Sequence, residues 1–213
     1  MKNIVLIGAS GYVGSALLSE ALARGHHVTA LVSNPARLTA QAGLDIVRSD
    51  VNATPALANQ LEGHDAAISA FSGHAQPDVR GYYVQGMRSV IAAAKQATLP
   101  RLLVVGGAAS LEVAPGRILL DTPDFPAQWQ GTAAGARDVL QLLREETLLD
   151  WTMLSPSAHL EPGPRTGVFR LGTDQLLVGA DGQSRISLAD YAVAMLDELE
   201  KPAHSRRRFT VGY

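Results

Sequence analysis

The 213-residue sequence predicts an α/β fold: a doubly wound parallel sheet with helices on both faces. Three observations predict it. Short apolar runs alternate with segments of helical spacing, the runs are continuously apolar, and a glycine-rich turn follows the first of them. Parallel strands need crossovers that return over a sheet face, and the helical segments supply them. A continuous apolar run suits a strand buried on both sides. One domain over 1–213 accommodates the length, with 155–213 expected to form a small cap over the carboxyl edge.

The first strand ends at Gly8, and Ala16, Leu17, Leu18, Ala21 and Leu22 recur at the spacing of a first helix. Further strands are predicted at 27–32, 44–47, 66–70, 101–106 and 151–154, with helical segments around 55–61, 80–97 and 133–147. From Ser155 onward proline and glycine become frequent, and two short strand-like pieces stand at 168–171 and 175–178. A helix over 188–199 and a final edge strand over 209–211 close the chain. The run Arg206-Arg207-Arg208 is expected to be the solvated start of that edge strand.

The turn Gly8-Ala9-Ser10-Gly11-Tyr12-Val13-Gly14 places glycines at its first, fourth and seventh positions, between a strand and a helix. Side chains at those glycines would block the tight turn and keep the backbone from a pyrophosphate. The free N–H groups and positive end of the following helix then face that anion. Ser10, Tyr12 and Val13 line the same turn, so a dinucleotide is the predicted ligand.

Cofactor choice is set at the end of the second strand. Many NAD-binding folds carry an acid there, which bonds the ribose hydroxyls and repels a 2′-phosphate. This chain instead reads Ser33-Asn34-Pro35, with Arg37 just beyond. Ser33 and Asn34 can donate to phosphate oxygens and Arg37 adds a fixed charge, which favours NADP(H) over NAD(H). Asp50 and Val51, past the third strand, are placed to meet an adenine. Ala70, Phe71, Ser72 and Gly73 end the fourth strand beside the topological switch point, and Gly106 and Gly107 end the fifth. Phe71 serves there either as a core aromatic or as a cofactor contact.

Composition narrows the alternatives. A net charge of −2 gives no reason to expect nucleic acid or a membrane surface as partner. No cysteine is present, so disulfide and thiol chemistry are excluded. No apolar stretch approaches the roughly 20 residues of a membrane span. Met1 leads directly into the first strand, so a cytoplasmic location is expected. The six histidines lack ligand spacing, and no metal is expected. Oligomeric state is not legible.

Several longer motifs carry a resemblance: Val104 to Leu111, Asp150-Trp151-Thr152 with Ser155-Pro156, Pro162 to Gly167, and Asp181 to Ser187 with Asp190-Tyr191-Ala192. Together they resemble the NADH–flavin reductase family of NmrA-like, atypical short-chain dehydrogenases, similar in architecture to biliverdin reductase B. The glycine turn likewise resembles the Gly-Ala-(Ser/Thr)-Gly-x-x-Gly variant of extended and atypical short-chain dehydrogenases. The resemblance spans essentially the whole chain. It implies a Rossmann-type fold, bound NAD(P)H with Ser155 and Pro156 at the cofactor, and FMN, FAD or another planar small-molecule acceptor as hydride recipient. Relatives often place an Arg where this chain has Ser33.

Typical short-chain dehydrogenases move a proton with a Tyr and a Lys four residues apart. The corresponding segment here, Trp129 to Gly135, has neither. Reduction of a flavin or quinone needs no such pair, since orientation and proximity carry it. Ser110 stands at the position of the family's catalytic Ser, where it either bonds the acceptor or stabilises its loop. His159, past the sixth strand, either orients the acceptor or makes a polar loop contact. Asp190, near a helix start, is expected to cap or to compensate the dipole. An NAD(P)H-dependent reductase is the leading class. An NmrA-like redox-sensing regulator without turnover is compatible with the same missing pair.

The missing acid generates the first prediction. NADPH binds more tightly than NADH, and Ser33→Asp reverses the order by placing a carboxylate against the 2′-phosphate. Four dissociation constants by calorimetry check it; tighter NADH binding by the unaltered protein would refute it.

Overall fold

The computed structural model describes residues 1–74 and 76–213. Its strands are β1 (Asn3–Ile7), β2 (His27–Val32), β3 (Leu44–Arg48), β4 (Ala66–Ser69), β5 (Leu102–Val105), β6 (Glu112–Ala114), β7 (Arg117–Ile118), β8 (Trp151–Ser155), β9 (His159–Glu161), β10 (Arg170–Gly172), β11 (Arg185–Ser187) and β12 (Arg207–Gly212). The helices are α1 (Tyr12–Ala23), α2 (Thr54–Leu61), α3 (Val79–Gln96), α4 (Gln130–Glu145) and α5 (Leu188–Glu200). An eight-stranded sheet in the order β10-β12-β8-β5-β4-β1-β2-β3 forms the centre, parallel except for β10. This is the doubly wound Rossmann-type arrangement that the alternating pattern predicts.

Side chains of β1 explain why its sequence is apolar throughout. Ile4 and Leu6 enter the core beneath α1 and α5, while Val5 and Ile7 enter the opposite core beneath α2, α3 and α4. Ile7 pairs with Leu31 of β2 on one side and Ser69 of β4 on the other. The carboxyl end of β1 therefore lies between strands whose connections leave in opposite directions, the place where open α/β sheets leave a crevice.

Several elements depart from the sequence expectation. The crossover from β2 to β3 contains only a 3₁₀ turn, Pro35–Arg37, which the Asn34 side chain caps by accepting from Ala36 N–H at 3.2 Å. The piece at 175–178 forms no strand; Gln175 makes a single bridge with Glu112. The final strand is not an edge: β12 lies between β8 and β10. Arg206 and Arg207 are exposed as expected, but Arg208 is buried, its Nε 2.8 Å from Asp174 Oδ1. A buried guanidinium keeps its charge and therefore needs an acid partner, which Asp174 supplies. Of the residues after Ser155, β12 and β10 extend the main sheet and α5 covers it. The small β9–β11 pair is tied to the start of α1 through Tyr12, and the loop over 162–167 lies against α1 and α5.

That loop is held by Asp190, fully buried in the first turn of α5. Its carboxylate accepts from the N–H groups of Thr166 and Gly167, both at 2.8 Å, from Thr166 Oγ1 at 2.5 Å and from the Tyr213 hydroxyl at 2.8 Å. Ser187, not Asp190, caps the helix, its Oγ accepting from Asp190 N–H at 3.0 Å. Burial alone would raise the Asp190 pKa; the bonds from Thr166, Gly167 and Tyr213 outweigh it and hold the carboxyl below its ordinary value.

A depressed carboxyl pKa stabilises the fold above the unfolded value near 4 and loses that contribution as pH falls through the folded value. Asp190→Ala should therefore cost about 2–4 kcal/mol at neutral pH, a melting temperature roughly 5–10 °C lower, and should flatten the acid-side decline. Thermal melts of both proteins between neutral and acid pH check this; superimposable curves would show that the carboxylate holds nothing.

Candidate functional site

The β1–α1 turn admits the chain only as glycine. Gly8 has φ +81°, and a β-carbon there would lie 2.8 Å from the Ala70 carbonyl oxygen at the end of β4. At Gly14 it would lie 2.1 Å from the Gly8 carbonyl oxygen, so any side chain would push α1 off the turn. Gly11 is different. Its backbone is extended, its N–H donates to Gly8 O at 3.0 Å, and a β-carbon would approach Gly8 O only to 3.2 Å. No side chain caps α1, which leaves its first N–H groups directed at an anion.

Two buried polar atoms fit the same ligand. Asn52 Oδ1, just past β3, and Ser155 Oγ, at the end of β8, have no hydrogen-bond partner. Buried polar groups are nearly always satisfied, so unpartnered ones at a strand's carboxyl end mark contacts still to be made. The glycine cradle and these atoms suit a nicotinamide dinucleotide, whose pyrophosphate the turn would hold, with Asn52 and Ser155 towards its two ends.

Most of the predicted binding residues gather along this edge. Ser10 and Val13 are half-buried in the turn, and Tyr12 is exposed, its hydroxyl donating to Leu160 O of β9 at 3.2 Å. Ser33, Asn34 and Arg37 are exposed at the end of β2. Asp50 is exposed and Val51 buried, Asp50 Oδ1 accepting from Asn52 N–H at 3.0 Å. Ala70 continues the β4 ladder, its N–H 2.9 Å from Ile7 O, and Ser72 is exposed beyond it. Gly73 approaches the start of α3, where a β-carbon would meet Val79 O at 2.1 Å. Gly106 donates to Leu154 O at 2.8 Å, Gly107 packs on Ala136 of α4, and Pro156 is buried beside Ser155.

Phe71 takes the core role: its ring packs on Gly86 and lies 5.5 Å from Tyr82 and 6.0 Å from Tyr83. Ser110 is turned inward. It is buried, and its hydroxyl accepts from Arg208 Nη1 at 3.2 Å, so it anchors the β5 loop to β12 rather than facing the crevice. His159 is exposed in β9, its Nδ1 3.9 Å from Glu161 Oε1, with Tyr12 reaching the neighbouring residue. Arg48 went unnoticed in the sequence. It pairs in register with Val32, which puts a second exposed guanidinium beside Ser33 and Asn34. Only the strand pairing carries that signal.

No tyrosine or lysine lies on α4. Tyr83, on α3, is buried with its hydroxyl 3.4 Å from Val105 O, and burial pushes its pKa well up, away from any proton-transfer role. Lys95 is engaged with Glu146 at 3.0 Å. Among the described residues no group of three His, Cys, Asp or Glu is placed to hold a metal, and no helix is long and apolar enough to cross a membrane.

Comparison with known proteins agrees with the geometry. A family model described as NAD(P)H-binding matches residues 8–199. A structure from Bacteroides thetaiotaomicron, provisionally named an epimerase, is 42% identical, covers 100% of this chain and 97% of its own, and superposes with a TM-score of 0.93. One from Burkholderia pseudomallei, provisionally named an exported protein, is 38% identical with 100% of both chains covered and a TM-score of 0.91. A third, provisionally named an NADH–flavin reductase, from Streptococcus pneumoniae, is 34% identical over 100% and 99% of the chains, with a TM-score of 0.89.

The different crowding at two glycines separates folding from binding. Gly14→Ala should cost stability through the 2.1 Å clash, whereas Gly11→Asp should fold and bind NADPH and NADH at least about 100-fold more weakly, as its carboxylate meets the pyrophosphate. Melting curves and calorimetric titration check both; a folded Gly11→Asp with unchanged affinities would place the dinucleotide elsewhere.

Proposed function

Because the chain belongs to the NAD(P)H-binding family, among the NmrA-like atypical short-chain dehydrogenases, we propose that it is an NAD(P)H-dependent oxidoreductase. Its acceptor in this reading is a planar, electron-poor ring such as a flavin or quinone. The observation that carries the reading is an intact dinucleotide cradle beside an α4 without Tyr or Lys. Carbonyl or alcohol chemistry through a Tyr acid lacks its proton carrier, which also counts against an epimerase reading of this chain. A flavin or quinone accepts hydride without such a residue.

The dinucleotide supplies two electrons and one proton as hydride, and the acceptor takes its second proton from solvent. The glycine turn binds the pyrophosphate, Ser155 Oγ orients the reactive end, and Tyr12 locks β9 over α1 so that the acceptor meets a fixed wall. Ser33, Asn34, Arg37 and Arg48 support NADP(H) over NAD(H), since the end of β2 offers two exposed guanidiniums to a 2′-phosphate and no acid follows Val32 directly. The proposed location is the cytoplasm, where NADPH is supplied; the Burkholderia relative's name speaks of export for that protein alone.

Steady-state oxidation of NADPH and NADH with FMN, FAD and a benzoquinone tests the reading. Turnover with at least one acceptor is expected. Dinucleotide binding without turnover for any acceptor would replace the reductase with a redox-sensing regulator. Ser110→Ala and His159→Ala should each lower turnover tenfold or less in folded protein, about the loss of one hydrogen bond. A thousandfold loss in His159→Ala would reveal a general acid and end the proximity mechanism.

A further inference from the structure

Of the Phe, Tyr and Trp side chains among the described residues, only Tyr12 and Trp129 are exposed, at 58% and 50%. Both stand at the starts of helices on the carboxyl edge, where α1 leaves the sheet and α4 returns to it. Tyr12 already has an assignment, its hydroxyl on Leu160 O. Trp129 has none. An aromatic ring exposed near a binding crevice has a face to offer a planar ligand.

The surroundings of Trp129 are ordered. The His74 ring meets it edge-on, with centroids 6.4 Å apart at 71°. His74 Nε2 is itself held 3.2 Å from Thr132 Oγ1, one turn into α4. An edge-on neighbour braces an indole and leaves a face available for a stacked ring. The first turns of α4 are fixed in place as well, since Gly135 packs on Tyr83 and Arg80 and Gly131 faces Val79 of α3.

Height above the sheet follows from helix geometry. Ala136 touches Gly107 at the end of β5. Trp129 lies seven residues earlier, which at 1.5 Å per residue is roughly 10 Å beyond the sheet edge. A dinucleotide lying along that edge would occupy the intervening space, leaving Trp129 to face whatever sits on top of its reactive end. The loop that carries His74 continues from the end of β4, so His74 and Trp129 stand on the same edge of the sheet as the crevice.

We propose that Trp129, braced by His74, is the stacking platform for the acceptor, and that it selects planar, redox-active ring systems. The assignment rests on the reductase reading above and names the surface that makes it specific. Stacking is tolerant of ring substituents because any π-face satisfies it, so the site accepts flavin and quinone rings alike and discriminates against non-planar carbonyl compounds. Trp129 contacts substrate and transfers no proton, so its loss acts first on acceptor binding.

The two tryptophans make the test direct, because Trp151 is buried in the core and Trp129 is exposed. FMN titrated into NADP+-loaded protein should quench a component of tryptophan fluorescence that is missing in Trp129→Phe. In Trp129→Ala the FMN dissociation constant and KM should rise tenfold or more, with the NADPH dissociation constant within twofold of the parent. Trp129→Phe should recover most of the affinity, and His74→Ala should fall between. An unchanged FMN dissociation constant in Trp129→Ala would overturn the assignment. So would an equal loss of NADPH affinity, which would put the indole on the dinucleotide, or a shift to smaller particles in light scattering, which would put it between copies of the chain. A parent protein that reduces FMN beside a Trp129→Ala with the same KM would sink only the platform. A parent that neither binds nor reduces FMN or benzoquinone would remove the reductase reading and the platform together.

Discussion

The structure depends on one close approach of backbone to backbone, where the β1–α1 turn meets the end of β4. Gly8 lies against the Ala70 carbonyl and Gly14 against the Gly8 carbonyl, at separations that leave no room for a β-carbon. That contact fixes the start of α1 directly above the switch point of the sheet, with its unpaired N–H groups aimed along the crevice. Every other feature of the carboxyl edge is arranged around a backbone that has already been brought this close.

The cover over the crevice is held by polar ties rather than by an apolar core of its own. Asp190 gathers Thr166, Gly167 and Tyr213; Arg165 clasps Glu20 of α1 with two bonds of 2.8 Å; and Tyr12 reaches Leu160. Charge-assisted bonds of this kind are strong when partly buried and specific in direction, so a short proline- and glycine-rich segment is held in one position. The wall that would face an acceptor is thereby tied to the same helix whose N-terminus would hold the pyrophosphate. Binding one would find the other in place, which is how a reaction carried by proximity gains its rate.

The positions that serve proton transfer in typical short-chain dehydrogenases have been reassigned. Ser110 accepts from the buried Arg208, which Asp174 neutralises, and so fastens the β5 loop to the outer strands. The helix that would carry Tyr and Lys presents Trp129 and small residues, among them Gly131 and Gly135, which let it pack against α3. The crevice is left with orienting groups and an aromatic rim, suited to an acceptor that brings its own electron affinity.

What was legible in the sequence was local. Alternating apolar runs gave the parallel sheet, because a strand buried on both faces is apolar at most of its positions. The glycine turn was legible, because steric exclusion at Gly8 and Gly14 has no other residue as its solution. The missing acid after β2 and the missing Tyr–Lys pair on α4 could be read directly, since each is defined by its distance along the chain. Contacts between distant segments could not. Arg48 joins Val32 only through strand register, and the buried Arg208 meets Asp174 and Ser110 only through the packing of segments far apart in the chain. Asp190 looked like a helix cap and is instead the anchor of a loop more than twenty residues earlier in the chain. Spacing reports what a residue's neighbours in sequence require, whereas a buried charge takes its role from whichever partner the fold brings within hydrogen-bonding distance, and that the tertiary structure alone decided.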